Sequence, residues 1–130
     1  MWEFTIVGDP VPWTSWPKRG APPAGFLNMQ AWQAQIQAYA IRYWRGPDGP
    51  VEPLSGPVRL ELEFYLPQPK KPTNKYPRAD VTNLTKACED ALQGILFVND
   101  SQVVVTSNKK AYVTGSDAGY TVIRVERLTD

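Results

Sequence analysis

Val58, Leu60, Leu62, Phe64 and Leu66 alternate with Arg59, Glu61, Glu63 and Tyr65, the clearest periodicity in the chain. A period of two sends successive side chains to opposite faces, so this segment reads as a strand with one buried face and with Glu61 and Glu63 turned out to solvent. Residues 2–7 repeat the pattern more briefly, with Trp2, Phe4 and Ile6 on one side and Gly8 and Pro10 ending the run. Between 29 and 44 the period changes: Met29, Trp32, Ile36, Tyr39, Ala40, Tyr43 and Trp44 recur at spacings of three and four, which predicts a helix. Asn28 is its expected N-cap, Arg42 and Arg45 suit the last turn, and Gly46 sits where a glycine stop belongs.

A second helix, about 83–93, follows from Leu84, Ala87, Cys88, Ala91 and Leu92, with Asn83, Lys86, Glu89, Asp90 and Gln93 on its polar face and Gly94 ending it. Two C-terminal strands, about 102–106 and 119–127, flank a turn around Gly115, Asp117 and Gly119. Residues 9–23 and 67–79 are rich in Pro with Gly or Lys and read as loops. The order is β-α-β-α-β-β, the pattern of an α+β fold: a small mixed β-sheet with two helices packed on one face.

The chain's 130 residues suit a single domain spanning 1–130. Its apolar runs, such as Ile95–Val98, fall far short of the roughly 18 residues that cross a bilayer, and Met1–Phe4 carries no basic stretch of a secretory signal. No membrane partner and a cytoplasmic location are expected. There is no histidine, which removes Ser/His and Cys/His nucleophile pairs and His-ligated zinc. The lone Cys88 allows no intramolecular disulfide and lies on the apolar helix face, so it reads as a small core residue. No phosphate-binding loop or dinucleotide fingerprint is present, so no nucleotide cofactor is expected.

Net charge is only +1, and the distribution says more than the total. From Lys70 to Lys110 the cations Lys70, Lys71, Lys75, Arg78, Lys86, Lys109 and Lys110 surround the anions Asp80, Glu89, Asp90 and Asp100. Phosphate drawn to carboxylates that hold a cation would call for such an arrangement, and so would a solvated, lysine-rich loop. Asp80 ends the basic loop, Thr82 stands at the helix start, and Lys86 follows one turn later. Asp100 precedes a strand that could return its carboxylate toward the helix N-terminus. Two carboxylates beside a lysine suit divalent-metal phosphodiester hydrolysis, because Mg²⁺ takes few protein oxygens and keeps several waters. Spacing alone leaves open that Asp80 and Asp100 are turn residues and Thr82 an ordinary cap.

Arg78-Ala79-Asp80-Val81-Thr82-Asn83-Leu84-Thr85-Lys86, running on to Asp90-Ala91-Leu92 and then Asn99-Asp100-Ser101-Gln102-Val103, resembles the RusA family of Holliday-junction resolvases. That family's pattern is D-x-D-N-L-x-K, a helix ending D-A-L, then D-D-x-Q-[IV] and a downstream lysine. Gly8-Asp9-Pro10-Val11-Pro12 looks like the opening of phage-type members. The resemblance implies a homodimeric, Mg²⁺-dependent endonuclease, with Mn²⁺ as a substitute ion, that cuts four-way DNA junctions by paired symmetrical nicks. It makes Asp80 and Asp100 metal-binding aspartates and Lys86 a functional lysine, with Asn83 and Asp90 flanking the site. Lys18, Arg19, Lys70, Lys71, Lys75, Arg78, Lys109 and Lys110 become candidate phosphate contacts.

Two positions depart from the pattern. Thr82 stands where the family has its second aspartate, and Asn99 replaces the first aspartate of the pair. Thr82 could ligate metal weakly, hold a metal-bound water or cap the helix, and weaker metal binding is expected. The departures also motivate an alternative, a catalytically weakened module that only binds branched DNA. A restriction-type nuclease core is disfavoured, since the chain contains no D-x-K or E-x-K triplet.

Overall fold

In a computed structural model of the chain, residues 1–71, 74–114 and 117–129 are described. The expected turn residue Gly115, and Pro72 and Thr73 of the second Pro/Lys-rich loop, lie outside them. The elements are β1 (Trp2–Val7), α1 (Ala24–Trp44), β2 (Val58–Leu66), α2 (Val81–Leu92), β3 (Val103–Tyr112) and β4 (Tyr120–Arg127), with one turn of 3-10 helix at Asp100–Gln102.

The sheet order is β1-β4-β2-β3, antiparallel except for the parallel pair β2 and β3. A parallel neighbour needs a crossover. The crossover from β2 to β3 is α2, which therefore runs opposite to both strands. The alternation along β2 holds throughout: Val58, Leu60, Leu62 and Phe64 are fully buried. They meet Ile6, Ile123 and Val125 of the sheet, Met29, Trp32, Ile36 and Ala40 of α1, and Leu84, Ala87, Cys88 and Leu92 of α2 in one core. Both helices thus cover one face of a mixed sheet, as the α+β reading expected.

Three boundaries differ. Helix α1 begins at Ala24 rather than near Asn28, with Pro23 ahead of it and no side-chain cap. The proline supplies an extended residue just before the helix, where no amide partner is required. Strand β3 continues to Tyr112, well beyond 106, because its Thr106–Lys110 half pairs with β2 without burying an apolar face. Helix α2 begins at Val81, two residues early, for the reason given below.

The uncovered face of the sheet is an ion-pair network. Glu63 is not merely solvated: it pairs with Arg124 and lies 3.7 Å from Lys109, while Tyr65 donates to it at 2.5 Å. The Tyr65 hydroxyl, then Arg124, holds the Glu63 carboxyl below its ordinary range.

Candidate functional site

Asp80 caps α2. Its Oδ1 accepts from the Thr82 backbone N–H at 2.8 Å, and its carbonyl accepts from Leu84 N–H at 3.0 Å. Thr82 is therefore not the cap. An aspartate one step earlier both satisfies an orphan donor and sets its negative charge at the positive helix end, which starts the helix at Val81. One carboxylate oxygen is spent on the cap, and the other keeps its accepting capacity. Thr82 and Lys86 lie one turn apart and are both exposed.

The Pro-rich loop after β1 docks on this turn. Trp13 N–H donates to the Asn83 carbonyl at 2.8 Å, and the Lys86 ammonium stands 3.7 Å from the centroid of the Trp13 ring. From the other side Lys110 of β3 donates to the Ala79 carbonyl at 2.8 Å and lies 5.5 Å from the Tyr76 ring. Asp80, Thr82, Asn83, Lys86 and Lys110 are thus gathered at the N-terminus of α2.

Asp100 is not among them. After α2 the chain turns at Gly94, whose φ of +88 suits glycine, and buries Leu96 and Phe97 beside Leu54. That anchor keeps the next residues at the C-terminal end of the helix, where Asp100 N–H donates to Gln93 Oε1 at 3.1 Å. Asn99 caps the short turn by accepting from Ser101 N–H at 2.9 Å. Gln102 fastens the turn through the carbonyls of Leu54 and Gly56, both at 2.8 Å. The strand that follows returns Lys110, not Asp100, to the helix start.

The separation can be sized in two ways. The 12 residues of α2 span about 18 Å, and the seven steps from Val103 to Lys110 span about 23 Å. The expectation that one chain brings the two aspartates together is therefore overturned. Asp100 instead neighbours Glu89. Burial first, then the charges of Asp100 and Asp90, raise the Glu89 carboxyl above its ordinary range. Among the described residues no group of three or more carboxylate, thiol or imidazole side chains could hold a metal ion. Among the described residues Asp80 and Thr82 bring one carboxylate and a hydroxyl to the start of α2, too few donors by themselves to fit a divalent cation.

The basic residues fare better. The strand directions set the end of β1, the ends of β2 and β3 and the start of β4 at the same edge of the molecule. Both helices start there as well: Trp13 lies on the first turn of α2, and Thr14 N–H points at Met29 Sδ of α1 at 3.4 Å. The loop carrying Lys18 and Arg19 and the loop carrying Lys70, Lys71, Lys75 and Arg78 leave from this end, and all six residues are exposed. Positive helix ends add to the attraction for phosphate. A hollow of about 360 Å³ within the second of these loops, against the ends of β2 and β3, is lined by Lys71, Arg78, Tyr112 and prolines. Lys109 and Lys110, adjacent on a strand, face opposite sides of the sheet. Lys109 is engaged by Glu63 on the uncovered face, while Lys110 serves the helix side.

Cys88 is fully buried, and burial pushes its thiol far above the ordinary range, so it is an inert core residue. The Gly8–Pro12 segment ties β1 to β4. Asp9 Oδ1 accepts from Gly119 N–H at 2.7 Å, and a Cβ on Gly119 would come within 2.6 Å of the Tyr65 carbonyl. Trp13 and Tyr76 are not marked by any sequence pattern, because an aromatic residue in a proline-rich loop has no periodicity to single it out. The cations they meet were the available signal.

The family model described as Endodeoxyribonuclease RusA matches residues 18–126. The chain belongs to the RusA endodeoxyribonuclease family. Members of this family are nucleases that resolve Holliday junctions, so branched DNA is the substrate class of the RusA-type fold seen here. A protein of Bacillus subtilis (strain 168) named "Uncharacterized protein YqaN" is 27% identical over 126 residues, covering 85% of this chain and 87% of its own. Among the described residues no helix is long and apolar enough to cross a membrane.

Proposed function

We propose that this RusA-family chain is a Mg²⁺-dependent nuclease, with Mn²⁺ able to substitute, that resolves four-way junctions as a homodimer by paired symmetrical nicks. Each site combines Asp80, Thr82 and Lys86 of one protomer with Asp100 of the partner subunit. The observation that carries this reading is the placement of Asp80 and Asp100 at opposite ends of the α2 and β3 pair. A two-fold axis across the middle of that pair exchanges its ends, so two half-sets become two complete ones.

The outer strand supports such a pairing. β3 is a sheet edge, and Val104 and Val105 on it are 60% and 40% exposed. A long edge strand that exposes valines at its start is normally covered. Antiparallel pairing of two β3 strands about a two-fold at Val105 sets position 100 against position 110. Asp100 then meets the partner subunit's Lys110, the lysine whose bond to Ala79 places it beside Asp80. Opposite charges meet in that register, and a C2 dimer offers one site to each of two opposed strands of a junction.

A divalent ion bound between such aspartates would activate water and screen the scissile phosphate. The chain's own residues do the rest: Lys86 and Lys110 offset charge, and Lys71, Arg78 and the Lys18 loop hold the backbone. Asn99 does not argue for a decayed site, since asparagine caps its turn as well as aspartate would. Thr82 remains the single motive for the alternative, a branched-DNA-binding module without cleavage. The Gly8–Pro12 opening favours a phage-type member acting in the cytoplasm of a bacterial or phage-infected cell. The test is a labelled four-way junction incubated with Mg²⁺ or Mn²⁺. Paired nicks lost in Asp80→Asn support the nuclease, and tight binding without nicks under either ion supports the module.

A further inference from the structure

We infer that Trp13 is the positioning residue for Lys86, holding its ammonium over the first turn of α2 where the scissile phosphate is received. The inference rests on the nuclease reading above and adds to it a residue outside the family pattern matched by Asp80–Lys86.

Lys86 is exposed and carries a flexible four-carbon stem, so on a bare helix its charge would sample a wide volume. Helical side chains lean toward the N-terminus, which aims this one back toward Thr82 and Asn83. There the Trp13 indole waits, its ring centroid 3.7 Å from Nζ. The ring is itself fixed. Trp13 N–H is bonded to the Asn83 carbonyl at 2.8 Å, the next amide points at Met29 Sδ at 3.4 Å, and the indole packs against the core cluster. Loop and helix are therefore registered by a backbone bond three residues from the lysine they position.

The choice of an aromatic partner has a chemical consequence. A carboxylate would hold the ammonium by neutralising it, whereas the π face attracts it and leaves its full charge and N–H donors available to a phosphate. Among the described residues Lys86 makes no ion pair with an acidic group, in contrast to Lys109, which Glu63 engages.

The experiment compares Trp13→Phe, Trp13→Leu, Lys86→Ala and the Trp13→Leu/Lys86→Ala double variant on a four-way junction, after thermal melts show which variants are folded. Trp13→Leu should lower kcat roughly tenfold with junction KM unchanged, and Trp13→Phe, which keeps a π face, should recover most of it. In the Lys86→Ala background the tryptophan change should have no further effect, since residues acting as one unit are not additive. The Lys86 ε-methylene protons should show an upfield ring-current shift that Trp13→Leu removes. Equal losses from Trp13→Leu with and without Lys86 would overturn the inference, as would an unshifted Lys86 signal in the wild type. If wild-type protein makes nicks that Lys86→Ala slows and a folded Trp13→Leu does not affect, this inference alone fails. Absence of nicking by the wild type overturns the nuclease reading together with it.

Discussion

Replacing Asp80 by asparagine and by alanine separates a structural role from a chemical one. Its carboxylate accepts the Thr82 amide at the start of α2 and, in the proposed site, also faces the cation. Asparagine caps a helix nearly as well as aspartate but lacks the charge that complements the helix end, a difference of about 0.5 kcal/mol at an exposed site. Alanine loses the cap as well, about 1 kcal/mol more. With a urea m-value of about 2 kcal/mol/M, the midpoint should fall by roughly 0.2 M in Asp80→Asn and 0.7 M in Asp80→Ala, measured at one fixed protein concentration because a dimer's stability depends on it. Junction nicking should be lost in both, by at least about a hundredfold. Equal midpoints in the two variants would refute the cap, and nicking by either near the wild-type rate would refute the metal role.

Three other outcomes follow from the same geometry. Lys71→Ala should reduce the salt slope of junction binding by about one unit, whereas Lys109→Ala, which removes a residue engaged by Glu63, should leave it nearly unchanged; comparable changes in both would contradict the placement of the basic end. Glu63→Gln should destabilise the protein modestly at neutral pH, by about 0.5–1 kcal/mol. Because the folded Glu63 carboxyl lies below its ordinary value of 4.5, its contribution is present above that pH and fades as pH falls through the lowered value; a deficit in Glu63→Gln that stays constant down to pH 3 would be inconsistent with this. Thr82→Asp should lower the Mg²⁺ concentration needed for half-maximal nicking, and lower activity at unchanged stability would instead make threonine part of the native design.

Much of the fold was legible because burial writes a period into the sequence. β2 lies in the sheet interior with one face on the core, and its alternation marks every residue from Val58 to Leu66. β3 was half-missed for the converse reason: as an edge strand its Thr106–Lys110 segment has no apolar face to bury, so nothing distinguishes it from a polar loop. The first turn of α1 was hidden by the prolines before it and by Asn28, a residue that favours caps but here lies inside the helix. The site was legible residue by residue through the family pattern, yet its assembly was not. Whether Asp100 returns to Asp80 depends on where the chain turns after α2. That is decided by Leu96 and Phe97 burying beside Leu54, a contact between segments some forty residues apart.

Subunit mixing tests most directly whether the site is built from two chains. Asp80→Asn and Asp100→Asn proteins, each inactive alone, are combined in equal amounts and allowed to exchange subunits. Half of the dimers are then mixed, and each mixed dimer holds one intact pair, Asp80 from one chain and Asp100 from the other, so about a quarter of wild-type sites return. Single nicks should reappear at about that level while paired nicks should not. If the mixture stays as inactive as its components once exchange is complete, the two aspartates do not meet across the dimer and the proposed site is wrong.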